Sequence, residues 1–175
     1  MANLFFPQDL VALAQRVIDE NKSLGRTVAL AESCTGGLVC AALTEIPGSS
    51  AVLDRGFVTY SNEAKMEMLD VHSDIIDSFG AVSPATAWAM AQGAIKKSRA
   101  DVAVAISGIA GPDGGTEMKP VGTVVFACAF RNDENVHAEQ KLLEGKTRAE
   151  IRHQAAIIAL ELLLPSNEGL PEVTL

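Results

Sequence analysis

Several things are scarce in this sequence, and each scarcity excludes something. Lys and Arg number 14 against 22 Asp and Glu, a formal charge of −8, and they form no run. Sequence-independent nucleic-acid binding needs a positive patch to neutralise phosphates, so no nucleic-acid partner is expected. No apolar stretch approaches the ~18–20 residues that span a bilayer, so no membrane partner is expected either. The first residues, Met1 to Leu13, lack a basic region and already carry Asp9, which does not read as a secretory signal. Cysteines are few and odd in number, Cys34, Cys40 and Cys128, without metal spacing, as expected of buried thiols in a reducing cytoplasm. The three histidines, His72, His137 and His153, are scattered, so a metal site has no support.

What is present is ordinary globular material. The 175 residues are 48% hydrophobic and 21% charged, enough for one domain with a core that needs no disulfide. Disorder and fibrous repetition are excluded. Neither an internal repeat nor a linker divides the chain, and a single unit over residues 1–165 with a short polar, mobile tail over 166–175 is expected.

Hydrophobic spacing sketches the elements. Leu10, Leu13, Ala14, Val17 and Ile18 predict a helix over residues 7–24, followed by a short strand over Thr27–Ala31. A helix over Leu38–Leu43, a strand over Phe57–Tyr60 and a helix over Asn62–Leu69 come next. Ser83-Pro84 is a helix start, and Val102–Ile106 is a strand buried on both faces. Val121–Phe130 and Val136–Leu143 read as a strand pair turning at residues 131–135. Thr147-Arg148-Ala149-Glu150 is a capping box opening a last helix that Pro165 stops. The alternation predicts an α/β layered domain with a mixed sheet.

Four segments carry candidate chemistry. In the first, Glu32-Ser33-Cys34-Thr35-Gly36-Gly37 joins a strand to a helix, where unpaired N–H groups face outward. Ser33 and Thr35 are either plain N-caps or a nucleophile and its surroundings; two glycines in a first turn cost about 1 kcal/mol each, which something should offset. Cys34 is a rival nucleophile if the helix end depresses its pKa. Glu32 either orients a partner or stabilises the helix dipole.

In the second, Tyr60-Ser61-Asn62-Glu63-Ala64-Lys65 holds the chain's single tyrosine, with a lysine one turn into a helix. Either Lys65 is a surface lysine and Tyr60 a half-buried tyrosine, or both face one cleft, where a desolvated lysine serves as a base towards a hydroxyl. The third segment, Gly108–Gly115, carries four glycines in eight residues and follows Ser107, but it is neither a Walker A loop nor Gly-x-Gly-x-x-Gly. It is a set of tight turns or a ligand loop. In the fourth, Arg148 and Arg152, one turn apart at the last helix start, are either solvated or share a phosphate.

Taken together, AESCTGG at residues 31–37, YSNEAK at 60–65, GAVS at 80–83 and GIAGPDGGTEMKPVGTV at 108–124 resemble the CinA C-terminal domain family in its stand-alone, PncC-type form. The likeness runs over roughly residues 8–163. It implies a three-layer α/β/α fold with about five strands. It further implies hydrolysis of the carboxamide of nicotinamide mononucleotide to nicotinate mononucleotide and ammonia, within NAD metabolism, without cofactor or metal. By that resemblance Ser33 is the nucleophile, Tyr60 and Lys65 assist it, and Arg148 binds phosphate. Thr35, Gly36 and Gly37 would hold the oxyanion through backbone N–H groups. Ser107, Gly108, Ala110 and Gly111 would wrap the ring or ribose, and Arg152 would share the phosphate. At this length the chain is expected to lack the further N-terminal domain of long members, so their pyrophosphatase activity is not carried over. A cytoplasmic homodimer or higher homo-oligomer is expected. A non-catalytic nucleotide-binding module and an amidohydrolase of another substrate are the competing readings.

Overall fold

A computed structural model describes residues 6–133 and 136–167. Five strands form one mixed sheet in the order β2-β1-β3-β4-β5: β1 (Val28–Glu32), β2 (Leu53–Val58), β3 (Val102–Gly108), β4 (Thr123–Phe130) and β5 (Val136–Leu142). β1 runs parallel to both its neighbours, while β4 is antiparallel to β3 and β5.

Side-chain alternation along the strands divides the core in two. Val28, Leu30, Val104, Ile106, Val124 and Phe126 face α1 (Gln8–Ser23), α2 (Leu38–Thr44) and α6 (Arg148–Leu162). Ala29, Ala31, Ala103, Ala105, Ala127 and Ala129 face the other way, with α3 (Asn62–Leu69), α4 (Ser73–Phe79) and α5 (Pro84–Lys97) over them. Burial on both faces explains the unbroken apolar runs of β3 and β4. The result is the three-layer α/β/α arrangement with five strands.

Most element ends fall within a few residues of the sequence expectation, and α3 occupies Asn62–Leu69 itself. Two features differ. The second strand starts at Leu53 and ends at Val58, so Tyr60 lies beyond it; as an edge strand, paired on one side only, β2 tolerates the polar Asp54, Arg55 and Gly56 that hide it from a hydrophobic scan. Helix α4 has no counterpart in the sequence reading, because it is short and buries only Ile76. Caps behave as expected elsewhere: Ser83 Oγ accepts from Thr86 N, and Thr147 and Glu150 complete a capping box. Of the expected polar tail, Ser166 and Asn167 belong to a 3-10 turn from Pro165, and residues 168–175 lie outside the described residues. Among the described residues no helix is long and apolar enough to cross a membrane.

The strand order places a crevice. The chain leaves β1 across one face of the sheet to reach β2 on one side, then returns across the other face to β3 on the opposite side. Such a switch point opens a gap outside the carboxyl ends of β1 and β3, where α/β sheets hold ligands.

Candidate active site

Ser33 sits at that gap. It follows the last residue of β1, and its N–H donates to Ile106 O of β3 at 2.9 Å, so Ser33 and Ser107 occupy neighbouring strand ends. The chain then turns through Cys34 to Gly37. Gly36 and Gly37 both take the left-handed conformation, φ 62° and 93°, which a side chain would resist. Neither Ser33 nor Thr35 caps α2: its N-cap is Gly37, without a side-chain hydrogen bond. The buried Glu32 carboxylate does that work, accepting from Gly37 N (2.9 Å), Val39 N (3.3 Å) and Cys40 N (2.9 Å). The two glycines thus lie before the helix and not in its first turn as expected, so the helix-propensity cost does not arise; their left-handed backbone is what calls for glycine. Gly36 N donates to Ser33 O, and Leu38 N to Thr35 O. Of the expected oxyanion donors, Gly36 and Gly37 N–H are therefore engaged within the protein. Directly after the serine, the Thr35 N–H takes no acceptor among the described residues, and the Cys34 N–H meets only its own thiol.

Lys65 reaches the same point from α3, whose first turn is fixed by Ser61 Oγ accepting from Ala64 N. It is the largest fully buried side chain of the protein, 1% exposed. Its Nζ lies 3.1 Å from Ser33 Oγ, 2.8 Å from Thr59 O and 3.5 Å from Ser61 O. Among the described residues no carboxylate pairs with it, and desolvation pulls the lysine below its usual 10.5. In the neutral amine, two N–H groups satisfy the two carbonyls and the lone pair faces the serine hydroxyl. The arrangement is a serine with a base already in hydrogen-bond reach.

Cys34 points the other way. Strand alternation sends it into the core beneath α2 and α6, and burial, with Glu32 nearby, pushes its thiol up to about 11. The depressed pKa that would have made it a rival nucleophile is not found; the helix end that should have lowered it is already occupied by a carboxylate. Cys40 is likewise pushed upward, chiefly by desolvation.

Tyr60 is 61% exposed, and its hydroxyl accepts from Arg148 Nη2 at 2.8 Å. It is tied to the arginine, and its partner is neither Ser33 nor Lys65. Arg148 Nη1 also donates to Gly111 O of the glycine-rich loop at 2.7 Å. Arg152, one turn on, donates to Cys34 O (3.1 Å) and Thr35 O (2.8 Å). Arg152 thus leans on the nucleophile turn while Arg148 ties the glycine-rich loop to Tyr60, each with further N–H donors to spare. Ser107 Oγ donates to Ala81 O at 2.8 Å, joining the GAVS loop to the end of β3, and Ala110 is buried against the sheet. Gly108 belongs to β3 itself.

The four sequence segments therefore converge on one crevice. Sequence reasoning missed Thr59, which is wholly buried and supplies the carbonyl closest to Lys65 Nζ. Only its place before Tyr60 hinted at it. The side-chain hydroxyls of Thr35 and Thr59 are buried without a hydrogen-bond partner, the sort of loose end that sites carry.

Comparison with known proteins agrees with this picture. A model of the CinA C-terminal domain matches residues 10–166. The nicotinamide-nucleotide amidohydrolase PncC of Escherichia coli K12 is 50% identical over 155 residues, 89% of this chain and 93% of its own. PncC of Enterobacter agglomerans is 49% identical over 143 residues, covering 82% and 86%. Among solved structures, the competence/damage inducible protein CihA from Agrobacterium tumefaciens superposes with a TM-score of 0.90 at 51% identity, over 94% of this chain and 99% of that one.

Proposed function

The chain belongs to the CinA C-terminal domain family, and we propose that it is a nicotinamide-nucleotide amidohydrolase in which Ser33 attacks the carboxamide of nicotinamide mononucleotide. The observation that carries the chemistry is the buried Lys65 Nζ, 3.1 Å from Ser33 Oγ with its pKa pulled down. Neutral Lys65 takes the serine proton as Oγ bonds to the carboxamide carbon. The oxygen that becomes negative is held by Cys34 and Thr35 N–H, where preorganised donors stabilise charge that develops only in the transition state. Collapse breaks the C–N bond, and Lys65 returns the proton to the departing ammonia. Water, deprotonated by the same amine, then cleaves the ester to nicotinate mononucleotide and regenerates Ser33. No step needs a metal.

The phosphate belongs at the arginine side. Arg152 holds the nucleophile turn, Arg148 holds the glycine-rich loop, and α6 brings its N-terminus there as well. A phosphate that takes Arg148 releases the Tyr60 hydroxyl, which can then turn towards the reacting amide. Ser107, Gly108, Ala110 and Gly111 wall the ring and ribose on the β3 side.

Ammonia release from nicotinamide mononucleotide tests the proposal. Wild-type protein turns over; Ser33→Ala falls by about 10³-fold or more, and Lys65→Met by roughly 10²–10⁴-fold. Arg148→Ala raises KM for the nucleotide and leaves hydrolysis of non-phosphorylated amides unchanged. A wild-type protein that binds the nucleotide without releasing ammonia would instead be a binding module.

A further inference from the structure

We infer that Glu32 is a positioning residue for the nucleophile: its carboxylate clamps the first turn of α2 to the end of β1 and so holds Ser33, with the Cys34 and Thr35 N–H groups, in the reactive arrangement. The inference rests on the amidohydrolase reading above. Its basis is that the carboxylate capping α2 comes from the residue directly before Ser33 and spans the whole turn.

Glu32 is 0% exposed, which is costly for a carboxylate unless its oxygens are satisfied. Among the described residues it meets no lysine or arginine. Instead Oε2 accepts from Gly37 and Val39 N–H, and Oε1 from Cys40 N–H. The donors lie five, seven and eight residues along the chain, across the whole nucleophile turn. Both ends of that turn are thereby fixed to one side chain: Ser33 follows Glu32 directly, and Gly37 closes the loop.

The clamp also decides which N–H groups stay free. With Glu32 on Gly37, Val39 and Cys40, Ser33 O on Gly36 and Thr35 O on Leu38, the donors left at the turn without an acceptor from another described residue are those of Thr35 and of Cys34, whose N–H meets only its own thiol. An α2 without this anion would offer its own N-terminal N–H groups to any passing anion, the substrate phosphate included, in competition with the arginines. Occupied, that helix end leaves the oxyanion as the only negative atom the turn receives. Its negative charge also helps keep the neighbouring thiols protonated, which leaves the serine as the reactive group.

Glu32→Gln tests the assignment, since it keeps shape but turns one acceptor into a donor facing an N–H. Expected is a kcat lower by roughly 10–100-fold, the scale of a misplaced or lost oxyanion donor, with KM for nicotinamide mononucleotide within about twofold. Leu43→Ala, in the core beneath α2, serves as the stability control: it lowers Tm yet keeps kcat per folded molecule. Should Glu32→Gln fail to fold, Glu32→Asp retains the charge but not the reach, and the same split of kcat from KM is expected. Wild-type kcat in a folded Glu32 variant overturns the inference, as does a loss seen wholly in KM. Full activity in Ser33→Ala would overturn the amidohydrolase mechanism instead, so the two failures are distinguishable.

Discussion

A lysine that is almost wholly buried and has no carboxylate partner among the described residues ought to titrate unusually, and the direction can be worked out for Lys65. Burial holds its folded-state pKa below the 10.5 of an unfolded lysine. Between those two values the unfolded chain binds more protons than the folded one, so stability rises with pH across that window. Below the folded value the full penalty stands. Urea midpoints measured from pH 7 to 10 should therefore climb more in the wild type than in Lys65→Met. Catalysis follows the same titration: kcat/KM rises with pH on an acid-side limb that reports this amine, at a pKa below 10.5. Cys34 behaves oppositely. With its thiol pushed to about 11, it should resist iodoacetamide at pH 8, and Cys34→Ala should keep turnover within a few-fold, read by ammonia release.

At the scale of elements, α3 and α5 approach each other closely. A Cβ placed on Gly93 would overlap the Leu69 carbonyl at the end of α3, a backbone atom that cannot rotate away. Gly93→Ala should cost about 1–3 kcal/mol of stability in denaturant unfolding, despite the better helix propensity of alanine. Because α3 carries Lys65, some activity should go with it. Elements were legible where local chemistry decides them: the Ser83-Pro84 start of α5, the Thr147–Glu150 box of α6, the unbroken apolar runs of β3 and β4. They were less legible where tertiary pairing decides. The edge strand β2 is held by Val28–Glu32 rather than by its own hydrophobicity, and α4 exists because Ile76 finds a place on the alanine face. The α2 cap belongs to the same class, since a glutamate from the preceding strand does what a local Ser33 or Thr35 was expected to do.

Taken whole, the molecule assembles its site from both helical layers. Lys65 arrives with α3 from the alanine side of the sheet; Arg148 and Arg152 arrive with α6 from the side of Val, Leu and Phe. The residues of the crevice could be picked from sequence because they sit where strand ends meet helix starts, marked by glycines or by capping residues. Their pairings could not. That Tyr60 holds Arg148 and not the nucleophile, and that Arg152 leans on Cys34 and Thr35 carbonyls, follow from how α6 packs against α2 and β3, which no local pattern records. The two-sided supply of the crevice has one more consequence. Neither half of the sandwich can hydrolyse anything by itself, so turnover is an assay of assembly: on refolding, ammonia release should return at the pace of whichever layer docks last, even when helical signal has already recovered.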